Sequence, residues 1–154
     1  MDKVLAMQVA RKAYPLDAYD IQCGRDYPQY TVDCLGYKPL LQGLGLIVAQ
    51  QHDPGYTGDS RVLYHNVCQG FGYLMFGWGS CSGCDALAAC STYDELAELV
   101  ASLHASIRWM TPEETFDFFT THDWKAEPCG NSIYVDDFIR KCKSYLNRVL
   151  ERRQ

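Results

Sequence analysis

An apolar run that leads directly into glycines, serines and cysteines sets the strongest limit on how this chain folds. Residues 72–78 (GYLMFGW) are apolar at successive positions, which is typical of a central strand covered on both faces. Residues 79–90 (GSCSGCDALAAC) follow at once. Gly77, Gly79 and Gly83 permit a tight turn, and the small residues beside them let a helix lie close to a sheet. The segment therefore predicts a strand that turns directly into a helix.

Two further strands are predicted before this one, at 44–50 (LGLIVAQ) and 61–66 (RVLYHN). The segment 52–60 (HDPGYTGDS) between them is dense in turn-forming residues. With 72–78, these strands predict an antiparallel meander. Residues 106–110 (SIRWM) add either a fourth strand or the end of a helix.

Helices are predicted at both ends of the chain and through its second half. Residues 1–14 carry an apolar stripe that stops at Pro15, and 135–152 carry another with basic residues opposite. Capping boxes are predicted at Thr92–Glu95 and Thr111–Glu114, the second with proline at the first helical position. The pattern predicts an α+β fold: a small, mostly antiparallel sheet of three to four strands, helices packed on one face, and an amphipathic C-terminal helix.

The length of 154 residues predicts a single domain over 1–154. Within it we expect an irregular, tyrosine-rich part at 1–43 with a short strand at 30–35, a core at 44–124 and a C-terminal helix at 134–153. The chain contains no run long enough to span a membrane and no signal-peptide pattern. We therefore expect a cytoplasmic protein with reduced thiols and no membrane partner.

The formal charge of −5 is spread unevenly along the chain. Six Lys and Arg residues lie between Arg140 and Arg153 against one acid, Glu151, so the rest of the chain is strongly acidic. An acidic body repels nucleic acid and attracts a protein partner with a basic surface. The tyrosines and acids predicted to form the binding surface are Tyr19, Asp20, Asp26, Tyr27, Tyr30, Asp33, Tyr37, Tyr56 and Asp59.

The cysteines allow three interpretations. Cysteine is often buried, so the thiols could simply pack. Cys81 and Cys84 near a helix N-terminus could instead react, with His122 and Asp123 as helpers, Asp123 orienting His122 as a general base. Zinc is the third possibility, for which the ligand set would be Cys81, Cys84, Cys90 and His122, with His65, Cys68 or Cys129 as substitutes for the histidine.

Five short motifs point to a family: YTGD at Tyr56, the string from Gly72 to Cys90, DELAEL at Asp94, SIRW at Ser106 and HDW at His122. Over 56–124 the chain resembles a family of small proteins of bacteria, their phages and mobile elements, for which no activity is established. The resemblance implies an intracellular, phage-borne accessory protein in a bacterial host. It transfers no catalytic residues.

Together these observations predict a non-enzymatic acidic accessory protein that binds and modulates a protein or nucleoprotein partner. A phage-encoded inhibitor of a bacterial defence system, of the anti-CRISPR kind, is the specific form of this hypothesis. No cofactor is expected for it. The alternatives are a thiol-dependent enzyme or redox protein that uses the Cys81/Cys84 pair, and a zinc-stabilised binding module.

Overall fold

The computed structural model describes residues 1–29, 34–127, 130 and 132–153. The chain forms two compact units. The first joins Met1–Gly43 to Gly77–Ser106, and the second joins Leu44–Phe76 to Ile107–Gln154. The chain therefore passes between the units three times, and the single domain over 1–154 stays a prediction.

The first unit is helical. Its elements are α1 (Lys3–Ala13), α2 (Ala18–Gln22), a 3-10 helix (Cys34–Leu41), α3 (Ala86–Ala89) and α4 (Tyr93–Ala105). α1 packs against α4. Tyr93, at the start of α4, fixes this packing: the Arg11 guanidinium lies 4.4 Å from its ring centre, and its hydroxyl donates to the Tyr14 carbonyl at 2.6 Å.

The second unit contains most of the sheet, two α-helices and a short 3-10 helix in the described residues. The strands are β1 (Leu46–His52), β2 (Gly58–Asn66), β3 (Gly70–Trp78) and β4 (Arg108–Met110), and the helices are α5 (Pro112–Thr121), the 3-10 helix (Trp124–Ala126) and α6 (Ile133–Glu151). The strands are antiparallel in the order β1-β2-β3-β4, and the last two residues of β3 belong to the first unit. Gly70 begins β3 with φ of 89°, and a Cβ there would lie 2.5 Å from the Met110 carbonyl oxygen.

The core of the second unit lies between the sheet and helices α5 and α6. α6 contacts both α5 and β1. The buried side chains in this core are Ala49, Leu63, Phe71, Tyr73, Met110, Phe119, Trp124, Val135, Phe138, Cys142 and Leu146. The α6 members recur every three or four residues, because only one stripe of an α-helix can face a sheet.

The α+β fold is confirmed. The strands predicted at 44–50, 61–66 and 72–78 are present with ends shifted by up to three residues, and 108–110 forms the fourth strand. The C-terminal helix is confirmed as α6. Among the described helices, none is both long and apolar enough to cross a membrane.

The short strand predicted at 30–35 is wrong at its last two residues. Residues 30–33 lie outside the described part of the chain, and Cys34 and Leu35 begin the 3-10 helix. Tyr37, Leu40 and Leu41 in this segment are all buried. Their spacing of three and four residues is helical, which explains why Cys34 and Leu35 begin a helix rather than continue a strand.

The two predicted capping boxes differ in detail. The Thr111–Glu114 box is complete, with Pro112 in the first turn. Thr92 also caps its helix by accepting from the Glu95 N–H, but the Glu95 carboxylate accepts from the N–H and hydroxyl of Ser91, one residue earlier than expected. Both helices therefore begin where the sequence predicts.

Candidate functional site

The cysteine loop of the first unit places two thiols side by side. The Cys84 N–H donates to the Cys81 carbonyl at 3.0 Å, which closes a four-residue turn. The two sulfur atoms lie 3.0 Å apart, and both side chains are exposed. The turn thus presents a dithiol to solvent.

Asp85, directly after the turn, is buried and holds its base in place. Its carboxylate accepts from the Gly79 N–H at 2.7 Å, the Ala88 N–H at 2.8 Å and the Tyr37 hydroxyl at 2.9 Å. The Tyr37 oxygen in turn accepts from the Leu87 N–H at 3.2 Å. Asp85 is therefore the N-cap of α3 and a structural anchor of the loop.

Cys84 and Cys90 of this segment differ in acidity. A hydrogen bond with the Cys81 thiol is the main reason that the pKa of Cys84 is lowered, and it outweighs the opposing charge of Asp85. Burial raises the pKa of Cys90 to about 11, and Glu95 adds to this effect. Cys84 is thus more acidic than Cys90, and Cys90 is kept protonated.

The predicted zinc ligands do not form a cluster in the described residues. His122 belongs to the second unit, whereas Cys81, Cys84 and Cys90 belong to the first. Across residues 1–29, 34–127, 130 and 132–153, no group of three or more His, Cys, Asp or Glu side chains is placed to hold one metal ion. The zinc hypothesis stays untested as a prediction, without a preformed ligand set to support it.

A buried ion network in the second unit was not predicted. Arg61 is fully buried in β2, where its guanidinium donates to Gln51 at 2.8 Å, to Asp53 at 3.2 Å and to Glu127 at 3.0 Å. A lone arginine in an alternating strand gives no sign in the sequence that it points inward. Its partners lie on β1, in the loop after β1 and in the segment after α5, so only the fold brings them together.

The network continues to His122. The His122 Nε2 atom lies 2.7 Å from the second carboxylate oxygen of Glu127, and because a carboxylate only accepts, Nε2 carries the proton. The prediction that Asp123 orients this ring is wrong, since Asp123 is exposed and Glu127 takes that position. The backbone of His122 caps α5 by donating to the Phe118 carbonyl.

His122 lines an open groove on the second unit. The groove has a volume of about 390 Å³, and its wall includes Arg108, Trp109, Glu114, Asp117, Phe118 and His122. The Arg108 guanidinium lies 4.9 Å from the centre of the Phe118 ring. An imidazole oriented by a carboxylate is the arrangement of a general base. In the described part of the chain, no serine, threonine or cysteine side chain hydrogen-bonds to it, so a nucleophile–base pair is not assembled.

The residues predicted to form the binding surface differ in their exposure to solvent. Asp20 and Tyr37 are buried, so the prediction that they belong to a contact surface is wrong. Asp20 pairs with Arg25 at 3.2 Å, and the Tyr37 hydroxyl donates to Asp85. Tyr27 is half-buried with its ring 5.4 Å from that of Tyr93.

The other predicted binding residues lie nearer the surface or outside the described residues. Tyr19 and Asp26 are exposed in the first unit, and Tyr56 is exposed in the second. Asp59 is half-buried on β2, where its N–H donates to Asp53. Tyr30 and Asp33 lie outside the described residues.

Comparison with protein-family models, with curated proteins and with solved structures gave no match for this chain. The resemblance to bacterial and phage proteins over 56–124 therefore stays a prediction.

Proposed function

We propose that the protein is a non-enzymatic, acidic binding protein whose partner is a protein with a basic surface. The proposal rests on the orientation of the short helix α2, which buries its acid and exposes its two largest apolar side chains. Its acid, Asp20, points inward and is 4% exposed, while Tyr19 and Ile21 point outward and are 63% and 65% exposed. The fold gains little from an exposed tyrosine and isoleucine, whereas a partner that covers them gains apolar contact area.

The inward acid has its own structural role, so α2 is held in this orientation. The Asp20 carboxylate accepts from the Asp17 N–H in a reciprocal capping box and pairs with Arg25. The Arg25 side chain also covers the Tyr19 ring, with 5.3 Å from guanidinium to ring centre. We call the exposed set Asp17, Tyr19, Ile21 and Asp26 the α2 surface.

Charge favours a basic partner for the α2 surface. The first unit contains nine Asp and Glu residues against five Lys and Arg residues, a formal charge of −4 out of −5 for the chain. An acidic body with aromatic and aliphatic side chains on its surface suits the arginines and lysines of a nucleic-acid-binding protein.

The test is capture from a bacterial lysate with the immobilised full chain, followed by measured affinity for the captured protein at increasing salt. We expect a basic protein whose binding weakens with salt, since the long-range attraction is screened. The double variant Tyr19→Ala/Ile21→Ala should lose roughly tenfold or more in affinity, because two central side chains are truncated.

The chain offers a matched control for this experiment. Ile133 and Tyr134 at the start of α6 are 76% and 52% exposed, so Ile133→Ala/Tyr134→Ala removes the same side chains from the second unit. This variant should bind like the wild type. Equal losses in both double variants, salt-independent binding, or recovery of nucleic acid without a basic protein would each contradict the proposal.

The specific form of the proposal is an inhibitor of a bacterial defence nuclease, acting in the cytoplasm of the host. It is supported by the resemblance to phage and bacterial proteins and by the acidic charge, because the nucleic-acid channel of such a nuclease is basic. Adding the protein before DNA should reduce cleavage by an RNA-guided nuclease of the same host. The Tyr19→Ala/Ile21→Ala variant should reduce it much less.

A further inference from the structure

The Cys81–Cys84 turn carries two adjacent thiols that the proposed binding to a partner does not require. Its two sulfur atoms are 3.0 Å apart, and a disulfide bond is about 2.05 Å long, so bond formation needs a movement of roughly 1 Å. Both thiols are exposed, so a disulfide reagent can reach them. Neither thiol has to leave a packed core to react.

The base of the turn approaches Cys84 closely at Gly79. A Cβ at residue 79 would lie 2.6 Å from the Cys84 sulfur and 2.7 Å from the Cys84 carbonyl oxygen, so only glycine fits there. The Gly79 N–H is held by the buried Asp85 carboxylate. The two sulfurs thus already lie side by side in a turn whose base is hydrogen-bonded, so less chain entropy is lost when they bond than for two distant thiols.

We propose that Cys81 and Cys84 form a reversible redox site that exchanges with small disulfides such as oxidised glutathione. This site is independent of the proposed partner binding. It belongs to the first unit, and its frame consists of Gly79, Asp85 and Tyr37.

The exchange balances in two steps. The Cys84 thiolate attacks one sulfur of oxidised glutathione, forming a mixed disulfide and releasing one glutathione thiolate, which takes up the proton lost by Cys84. The Cys81 thiol then loses its proton to solvent and attacks the Cys84 sulfur, which forms the protein disulfide and releases the second glutathione. The protein loses two protons and two electrons in total, and one oxidised glutathione takes them up to become two reduced ones. The lowered pKa of Cys84 favours it as the first attacker.

The test equilibrates the wild-type chain in glutathione buffers of increasing oxidised fraction, followed by acid quench, alkylation and peptide mass spectrometry. We expect the peptide with Cys81 and Cys84 to lose two hydrogen atoms and to resist alkylation. Cys23 and Cys68 are exposed single thiols and serve as internal controls. In the buffer that oxidises half of the Cys81–Cys84 pair, the fraction of Cys23 or Cys68 that carries glutathione should be lower by roughly tenfold or more. These single thiols have no neighbouring thiol with which to complete a disulfide.

Two variants test the order of the steps. Cys81→Ser should stop at the mixed disulfide of Cys84 with glutathione, and Cys84→Ser should react more slowly in the first step. Folding of each variant is checked by circular dichroism, and the wild-type result stands without them.

Three results would overturn the proposal. The first is separate glutathione adducts on Cys81 and Cys84 with no disulfide between them. The second is oxidation of the pair at the same buffer ratio as Cys23 and Cys68. The third is stoichiometric zinc in the purified protein that blocks alkylation of the pair until a chelator removes it, which would make the turn a metal site.

Discussion

Arg61 is among the largest side chains that the protein buries completely, and it shows how single residues depend on their partners. A buried guanidinium is stable only when its donors and its charge are met. Asp53 and Glu127 supply the charges, and Gln51 supplies a further acceptor. Through Glu127 the same network sets the orientation of His122 at the groove.

Replacing Arg61 should therefore be severe. In Arg61→Met, the buried carboxylate of Asp53 and the half-buried carboxylate of Glu127 lose their cation, and we expect a loss of about 3–5 kcal/mol in unfolding free energy. Urea denaturation measures it. Arg140→Met is the matched control, because Arg140 pairs with Asp137 on the exposed face of α6 and should change stability little. Similar losses in the two variants would show that the network does not stabilise the fold.

A second prediction at the scale of single residues concerns the alkylation rates of two cysteines. Cys84 should be alkylated much faster than Cys90 near pH 7.5, because Cys84 is exposed with a lowered pKa while burial raises the pKa of Cys90 to about 11. Iodoacetamide time courses read by peptide mass spectrometry measure both rates. Cys81→Ala should slow Cys84 by removing the hydrogen bond that favours its thiolate. Equal rates at Cys84 and Cys90 would contradict the geometry.

At the level of the elements, short-range hydrogen bonds decide where the helices begin. Thr111 and Glu114 satisfy two N–H groups at the start of α5, and Pro112 occupies a position that needs no N–H. Glu114 of this box and His122 at the other end of α5 both line the groove. The cap thus contributes to the site as well as to stability.

Thr111→Ala should cost about 1 kcal/mol in unfolding free energy, because the first turn of α5 loses its side-chain acceptor. Urea denaturation again provides the measurement. Thr120→Ala, near the other end of the same helix, is the control: its hydroxyl only donates back to the Phe116 carbonyl, and alanine is the better helix former. A cost in Thr120→Ala as large as in Thr111→Ala would argue against the cap.

The same box makes stability depend on pH. Hydrogen bonds from the Thr111 N–H and hydroxyl hold the pKa of Glu114 below its ordinary value of 4.5. The contribution of the charged carboxylate is therefore complete above pH 4.5 and is lost as the pH falls through the lowered pKa. The difference in melting temperature between wild type and Glu114→Gln should shrink below pH 4.5. Glu113→Gln, whose parent residue pairs with Arg153, is the control and should not reproduce this profile.

At the scale of the whole molecule, the two compact units divide both contacts and charge. The α1–α4 packing belongs to the first unit and the β1–β2 and α6–β1 packing to the second. The first unit also holds most of the net negative charge. The α2 surface, the Cys81–Cys84 turn and the buried ion network are thus separate features, each explained within one unit.

Hydrogen exchange can test whether the units open separately. Arg61→Met should speed amide exchange in β1 and β2, because the network that it breaks lies in the second unit. Amides of α1 and α4 should keep wild-type rates. Uniform acceleration over both units would instead show one cooperative unfolding unit, in agreement with the single domain predicted from chain length.

The sequence by itself determined the elements and where most of them begin. Local rules were sufficient: the apolar run at 72–78 forms a central strand, Thr92 and Thr111 cap helices, and the α6 stripe at Phe138, Cys142 and Leu146 faces the core. These features depend on neighbours within about one or two helical turns, so their spacing is visible in the chain.

Only the tertiary structure decided which polar groups point inward and which partners they meet. Asp20 and Arg61 look like surface residues in the sequence, but both are buried, and each forms an ion pair. Glu127 rather than Asp123 is the partner of His122, since the chain after α5 brings Glu127 to Arg61 on β2 as well as to the His122 ring. Long-range pairing of charges leaves no periodic signal, since the free energy of a buried charge depends on the three-dimensional position of its partners.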